Sequence, residues 1–446
     1  MFRRVLVANR GEIAVRVIRA LKELGIETVA IYSEADRNAL HVEMADYAIC
    51  IGPAAAKDSY LNFSRILSAA EVSDADAVHP GYGFLAENPD FAELVEASGM
   101  VFIGPSPSSM RLMGDKIEAR KTMKKVGVPI LPGTDGPVES LSQVKKVVDE
   151  IGLPVIIKAA AGGGGRGMRI VRDVAGLEKA FFMAQKEAET AFGDPRVYVE
   201  KYVEKPRHIE IQVIGDKFGN MVYLGERECS IQRRHQKLLE EAPSPAVDKK
   251  LREIMGEKAV EGALSIGYYS AGTLEFLLDS QGEFYFMEMN TRIQVEHPVT
   301  EWVTGEDIIR LQILAAMGEK LPISQSDVKI FGHAIEVRIN AEDPERGFAP
   351  SPGTINVLHL PGGPGVRVDS HIYQGYTVPS NYDSLLAKVV VFDKSRALAI
   401  SRLRRALEET VIEGVKTTIP FFLKLIEDES FAKGDFDTHF LERFRW

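Results

Sequence analysis

Cysteine is nearly missing from this chain: Cys50 and Cys229 are the two present among 446 residues, far apart and without metal-type spacing. That excludes a disulfide-built scaffold and a cysteine-ligated metal centre, and a reducing cytoplasm is the expected home. The Asn62-Phe63-Ser64 sequon carries no meaning in that setting. No apolar run approaches a membrane span, and the opening Met1-Phe2-Arg3-Arg4-Val5-Leu6-Val7 reads as a strand rather than a signal peptide. Basic excess is absent too. Lys plus Arg number 54 against 64 Asp plus Glu, a net charge of −10. This argues against a general nucleic-acid binder while permitting local basic pockets for phosphates.

Glycine is scarce where one common fold would need it. Residues 3–8 read as a buried strand, 11–24 as an amphipathic helix and Glu27 to Tyr32 as a second strand. Two further strands, Ala75 to Val78 and Met100 to Ile103, flank a helix over Ala86 to Ser98. Alternating strands and helices imply an α/β fold with a doubly wound parallel sheet. The acidic end of the second strand, with Glu34 and Asp36, is like that of a dinucleotide fold. The first turn, however, is Asn9-Arg10-Gly11-Glu12-Ile13-Ala14, with one glycine where Gly-x-Gly-x-x-Gly is required. That disfavours an NAD enzyme. The length predicts two to four domains, and the turn residues Gly127 to Gly133 mark a boundary. Beyond it a helix near 140–151, the strand Pro154 to Ala160, a glycine loop, the strand Met168 to Arg172, a helix near 176–191 and the strand Arg196 to Lys201 make a small two-layer unit able to move as a lid.

The most informative segment is 284–298. Read in steps of two, Glu288, Asn290, Arg292, Gln294 and Glu296 occupy one face of an extended chain, against Tyr285, Met287, Met289, Ile293 and Val295 on the other. Glu288 and Asn290 are oxygen donors suited to Mg²⁺, Arg292 and Gln294 can read an anion, and Glu296 can act as a base. A solvated edge strand is the plainer explanation, but the Phe284-Tyr285-Phe286 lead-in favours a buried strand feeding a site. Glu275, one acid in an apolar strand, falls opposite Glu288 if the two strands form a hairpin, and facing carboxylates call for a cation between them.

Other pieces are weaker alone. Ala161-Gly162-Gly163-Gly164-Gly165-Arg166-Gly167 is not a P-loop, yet its backbone N–H groups can cradle phosphate, or it is simply a hairpin tip. Lys158, inside an apolar strand just upstream, wants an anion; Lys116, opening a helix, by itself reads as a surface residue. Strand 207–214 carries His208, Glu210 and Gln212 on one polar face, and 334–340 carries Glu336, Arg338 and Asn340. The cluster Glu228 to Lys237, with Gln232, Arg233, Arg234 and His235, is either a basic pocket for a polyanion or a solvated loop. His79-Pro80-Gly81-Tyr82-Gly83 follows a strand end, where open parallel sheets bind ligands.

In this order, Arg10-Gly11-Glu12-Ile13-Ala14, His79 to Gly83, the glycine loop, Ser230 to Lys237 and Glu288 to Pro298 resemble biotin carboxylase, the ATP-grasp subunit of biotin-dependent carboxylases. The resemblance runs from the first strand to beyond Asp383, and the last two motifs are long and specific. It implies a pre-ATP-grasp domain over 1–114, an ATP-grasp domain over 115–330 with its lid at about 131–203, and a C-terminal domain over 331–446. It implies Mg-ATP (or Mn-ATP) held by Lys116, Lys158, Gly164, Gly165, Glu200, Lys201, Tyr202, Val203, His208, Gln232, His235, Glu275 and Glu288, with Glu275, Glu288 and Asn290 as metal ligands. Bicarbonate would meet Lys237, Arg292, Gln294 and Val295, with Glu296 as base, and biotin would lie near Tyr82 and Arg338. Lys237, Arg292, Glu296 and Arg338 are then the catalytic set. The chain has no Met-Lys-Met attachment segment, so biotin would arrive on a separate carrier protein, with carboxyltransferase subunits and a second copy of the chain as further partners and no nucleic acid or membrane. Acetyl-CoA (the entry to fatty acid biosynthesis), other acyl-CoA and pyruvate all stay open as final acceptors. Another ATP-grasp ligase would share the Mg-ATP parts without needing Arg338 or the 292–296 ribbon. A silent nucleotide-binding regulator would not keep both Glu288 and Glu296.

Overall fold

The computed structural model describes residues 1–160 and 168–446. Strand β1 (Arg4–Val7), helix α1 (Gly11–Glu23) and strand β2 (Glu27–Ser33) lead into β3 (Tyr47–Gly52), β4 (Ala77–His79) and β5 (Val101–Phe102). These five strands form a parallel sheet in the order β3-β2-β1-β4-β5. Helices cover both faces, so the strands are apolar on both sides: Ile13, Val17 and Leu21 of α1 pack over Val5 and Val7, while Ile66, Phe91 and Val95 cover Leu6, Val29 and Ile31. The helix expected over 86–98 is Pro89–Ala97, because the Asn88 side chain accepts the Phe91 N–H and proline suits the first turn.

Strand order reverses between β1 and β4, opening a crevice at their C-terminal ends. Asn9 ties the two loops there together, donating to the carbonyls of Pro80 and Tyr82, both at 2.7 Å. Gly81 has φ +63, and a Cβ on it would sit 3.0 Å from the Asn9 amide, so glycine is required. The acid that a dinucleotide fold would offer to a ribose is already engaged. Arg10 makes two bonds to Asp36, at 2.7 and 2.8 Å, and the Tyr60 hydroxyl adds a third at 2.6 Å.

The next unit comprises helix Leu141–Ile151, strands β6 (Val155–Ala159) and β7 (Met168–Val171), helix Leu177–Phe192 and strand β8 (Val197–Lys201). Its antiparallel sheet, β7-β6-β8, has a core of its own built from Val144, Val148, Ile157, Phe181 and Val199. A separate core is what a unit needs to move as one piece. The expected phosphate loop, with Gly164 and Gly165, lies outside the described residues.

The largest sheet has eight antiparallel strands. They are β9 (Arg207–Gly215), β10 (Met221–Arg233), β11 (Gln236–Ala242), β12 (Ser270–Leu278), β13 (Phe284–Asn290), β14 (His333–Asn340) and the strands Val366–Ser370 and Leu385–Asp393. Their order is β13-β12-β9-β10-β11-β14, followed by Leu385–Asp393 and Val366–Ser370. The sheet runs straight across the division expected at residue 330, since β11 pairs with β14 from Leu239↔Val337 to Ala242↔Ala334. Helix Lys249–Ser265 packs through Met255 and Ala259 against Ile209, Ile211 and Leu274, and helix Arg396–Glu409 packs through Leu403 against Val337 and Val389.

The ribbon expected over 284–298 needs correction. Strand β13 ends at Asn290; residues 291–296 are loop and turn, and a helix starts at His297. Alternation also fails once inside the strand. Glu275 pairs with Glu288 but Phe276 pairs with Phe286, leaving Met287 as a bulge. The extra residue shifts the phase, so Phe284, Phe286 and Met289 enter the core, while Met287, expected on the apolar face, lines the cavity. The polar side chains do converge, through a bulge and a turn rather than along one strand face.

Candidate active site

A cavity of about 800 Å³ opens where the parallel sheet, the three-stranded sheet and the eight-stranded sheet meet. Its outer end carries the lysines. Lys116 opens helix Lys116–Lys125, whose first N–H groups are capped by Asp115, and its ammonium lies 3.0 Å from Glu288. Lys158 projects from β6 and meets Glu200 at 2.7 Å; Arg120 holds the other Glu200 oxygen. The anion that Lys158 wants is thus supplied by the protein itself. Burial works against the Glu200 charge, but Lys158 and Arg120 hold its carboxyl below the usual range. Lys201, Tyr202 and Val203 do not line the cavity: the Lys201 ammonium binds the carbonyls of Gly152 and Leu153, and the Tyr202 hydroxyl meets His439 at 3.0 Å.

The basic cluster is a hairpin. Gln232 pairs with Lys237 and Arg233 with Gln236, so Arg234 and His235 form a two-residue turn, both with positive φ. That turn brings His235 to the cavity wall. The Gln232 side-chain amide lies 2.8 Å from the His208 ring, and His208 lies 3.0 Å from Glu275. Burial disfavours a charged His208, yet Glu275 and Glu210 push its pKa up to about 9.

At the inner end the charges interlock. Lys237 touches Glu210, Glu275 (3.0 Å) and Glu296 (2.7 Å). One Glu275 oxygen also accepts from Asn290 at 2.7 Å and Gln294 at 2.8 Å. Arg292 is braced by Glu87 at 2.9 Å and by the Asn290 side-chain oxygen at 3.0 Å. Arg338 bonds Glu240 and, at 2.9 Å, Glu296. Its neighbour Glu336, on the same strand face, has no hydrogen-bond partner at either oxygen among the described residues. Burial raises the Glu336 carboxyl well above the usual range and takes Glu240 to about 7. For Glu296 burial has the same tendency, but Lys237 and then Arg338 hold it low, so it stays an anion and a proton acceptor. The Tyr82 hydroxyl donates to Glu12, whose carboxylate lies 3.2 Å from the Lys388 ammonium, and that ammonium donates to the Val295 carbonyl at 2.8 Å.

For a divalent cation the residues fit. Glu275 and Glu288 face each other across β12 and β13, with Asn290 two positions on, an all-oxygen donor set suited to a hard ion. Lys237, His208 and Lys116 now balance those carboxylates. Another cluster, His208, Glu210 and Glu275, has ligand atoms within 4.8 Å of one another, but the Lys237 ammonium already contacts both glutamates.

Lys388, Glu240, Arg227 and Glu87 were not among the expected site residues. Lys388 had a signal, since it interrupts the apolar run Leu385-Leu386-Ala387-Lys388-Val389-Val390-Val391 just as Lys158 interrupts its own.

Three family models match the chain in succession: Biotin carboxylase, N-terminal domain, over residues 1–110; Carbamoyl-phosphate synthase L chain, ATP binding domain, over 115–324; and Biotin carboxylase C-terminal domain over 336–443. Biotin carboxylase 1 of Bacillus subtilis is 58% identical over 445 residues, covering 100% of this chain and 99% of the relative. The Campylobacter jejuni biotin carboxylase–βγ-ATP complex superposes with a TM-score of 0.97 at 51% identity, covering 100% of this chain and 99% of that one. The biotin carboxylase domain dimer of Hydrogenobacter thermophilus 2-oxoglutarate carboxylase, solved with MgADP, ADP and bicarbonate, superposes with a TM-score of 0.95 at 53% identity, covering 99% and 98%. Sequence, domain succession and backbone agree over the whole length, and the chain belongs to the biotin carboxylase family.

Proposed function

We propose that the protein carboxylates biotin with bicarbonate and ATP, forming N1′-carboxybiotin, ADP and phosphate through carboxyphosphate. The observation that carries this reading is Glu296, an anionic carboxylate fixed between Lys237 at 2.7 Å and Arg338 at 2.9 Å, with Arg292 and Gln294 on the same loop. Lys116 and Lys158 would receive the nucleotide phosphates, with His208, Gln232 and His235 beside them. Lys237, Arg292, Gln294 and the Val295 backbone would hold bicarbonate. Glu296 takes its proton as a bicarbonate oxygen attacks the γ-phosphorus and ADP leaves. Mg²⁺ (or Mn²⁺), bound by Glu275, Glu288 and Asn290, would offset charge on the transferring phosphoryl.

Carboxyphosphate then breaks to CO₂ and phosphate. Phosphate takes the N1′ proton of biotin, whose nitrogen attacks CO₂, and Arg338 donates to the developing ureido oxyanion. Closure of the lid would keep water from the intermediate. Biotin would come on a separate carrier, with carboxyltransferase subunits completing the complex and the chain pairing with a second copy; acetyl-CoA, other acyl-CoA and pyruvate are the candidate acceptors. Among the described residues no helix is long and apolar enough to cross a membrane. Mg²⁺-dependent ATP cleavage should need bicarbonate and accelerate with free biotin. Cleavage indifferent to bicarbonate overturns the proposal.

A further inference from the structure

Beneath the inner end of the cavity lies a charged residue that the reaction above does not use. Arg227, on β10, is 0 % exposed, and each of its five N–H groups has an acceptor. Nε donates to Glu210 at 3.1 Å, Nη1 to Gln212 at 2.7 Å and Thr300 at 3.1 Å, and Nη2 to Thr273 at 3.1 Å and Gln294 at 2.6 Å. The acceptors come from β9, β12, the loop after β13 and helix His297–Thr304. Burying a guanidinium is costly, and it is tolerated because this pocket satisfies it completely.

One of the five bonds reaches the cavity directly, through Gln294, and a second reaches it through Glu210 and Lys237. Gln294 has a side-chain amide whose oxygen and nitrogen ends are nearly the same shape, so its orientation depends on its neighbours. Arginine can only donate. Arg227 therefore takes the Gln294 oxygen, and the Gln294 NH₂ group turns toward Glu275, at 2.8 Å, and the cavity. An anion beside Glu296 then meets hydrogen donors rather than a carbonyl oxygen. The second bond fixes Glu210, whose other oxygen is in contact with the Lys237 ammonium.

We propose that Arg227 is a positioning residue for bicarbonate: it orients Gln294 as a donor and, through Glu210, sets the place of Lys237. The proposal rests on the function argued above. Lysine cannot substitute, because one ammonium on a flexible stem cannot reach five acceptors in the plane of a guanidinium.

The test is steady-state ATP cleavage by the intact protein, varying bicarbonate at saturating Mg-ATP and then ATP at saturating bicarbonate. Arg227→Lys should raise the bicarbonate KM about tenfold or more, the usual scale for losing an oriented donor to an anion, while the ATP KM stays within about twofold. Combined with Gln294→Met, it should raise the bicarbonate KM by less than it does alone, because part of its effect passes through the Gln294 amide and the rest through Glu210. Parallel changes in both KM values, a loss confined to kcat, or full additivity in the double variant would show Arg227 to be scaffold and overturn the proposal. If Arg227→Lys does not fold, Gln294 decides. With Arg227 in place, Gln294→Glu turns a carboxylate oxygen toward the anion and should weaken bicarbonate binding more than Gln294→Met does; equal binding overturns the orientation. Wild-type cleavage that ignores bicarbonate would instead sink the underlying function, so the two failures are distinguishable.

Discussion

At the outer end of the cavity Lys116 and Glu288 face each other with side chains 22% and 34% exposed; at the inner end Lys237 and Glu296 do so at 13% and 2%. Both are lysine–glutamate pairs at hydrogen-bond distance, yet water sets them apart. An exposed pair contributes about 0–1 kcal/mol and is easily exchanged for another partner. Removing one member of a buried pair costs about 3–5 kcal/mol, because the other charge is left stranded. The outer lysine can leave Glu288 for a phosphate at little cost, whereas the inner charges are set when the chain folds. On the assignment proposed above, the Lys116 contact with nucleotide would be exchangeable and the bicarbonate site preorganised.

The largest expected effect breaks this contrast in two. Glu288→Ala should remove most turnover through kcat, a loss of several kcal/mol in the transition state, while the melting temperature barely moves. Glu275→Ala, which takes a carboxylate from Lys237 and His208 but leaves Glu210 beside both and Glu296 beside Lys237, should lose turnover and measurable stability together. Turnover assays and thermal unfolding on the two variants separate the ends; equal melting temperatures would erase the distinction.

A second test works inside the buried end. Arg338→Gln should slow carboxylation of free biotin about a hundredfold, the usual loss for one oxyanion donor. Bicarbonate-dependent ATP cleavage should fall much less. Because Arg338 helps hold Glu296 low, the acid limb of that ATP cleavage should also move to higher pH. If both half-reactions collapse with the melting temperature, Arg338 is a scaffold residue.

The last test concerns groups kept uncharged, whose effect is on stability and leaves the contrast between the two ends untouched. Burial holds His41 at about 4 and His79 and His371 at about 3. Above the ordinary histidine value of about 6.5 neither folded nor unfolded chain binds these protons. Below it the unfolded chain takes them up and the folded protein does not, so stability falls by up to about 1.4 kcal/mol per histidine per pH unit until the folded values are reached. Calorimetry at pH 7 and pH 5.5 checks the sign; a flat melting temperature would mean that water reaches these rings.

What the sequence made legible follows from periodicity. β1, β2, β4 and β5, with helices α1 and Pro89–Ala97, were readable because each strand is a short apolar run bounded by turn residues, whereas β3 was not, since it is an edge strand in which Ile51 alone is buried; Glu275 and Glu288 face each other as the hairpin pattern implied. The phase of β13 was not readable. A bulge at Met287 adds one residue without any glycine or proline to announce it, and Tyr285-Phe286-Met287 is apolar in either register. Arg227 was hidden for a related reason. Gly225-Glu226-Arg227-Glu228 looks like a solvated stretch, and only the fold reveals that β9, β12 and helix His297–Thr304 enclose it. Arg338 bonds Glu240 and Glu296 rather than Glu336, because its partners come from the next strand and from a loop distant in sequence.

The pairing of β11 with β14 has a consequence for taking the protein apart. Domain borders drawn along a chain invite dissection, but here the seam is a row of shared backbone hydrogen bonds. A fragment ending near residue 330 would present the edge of β11 as an open template, with Leu239 and Ala242 stripped of their cover. Such an edge recruits other strands. The first 330 residues expressed alone should therefore self-associate or precipitate, and supplying the missing strands in trans should restore solubility as well as the cavity wall that carries Arg338.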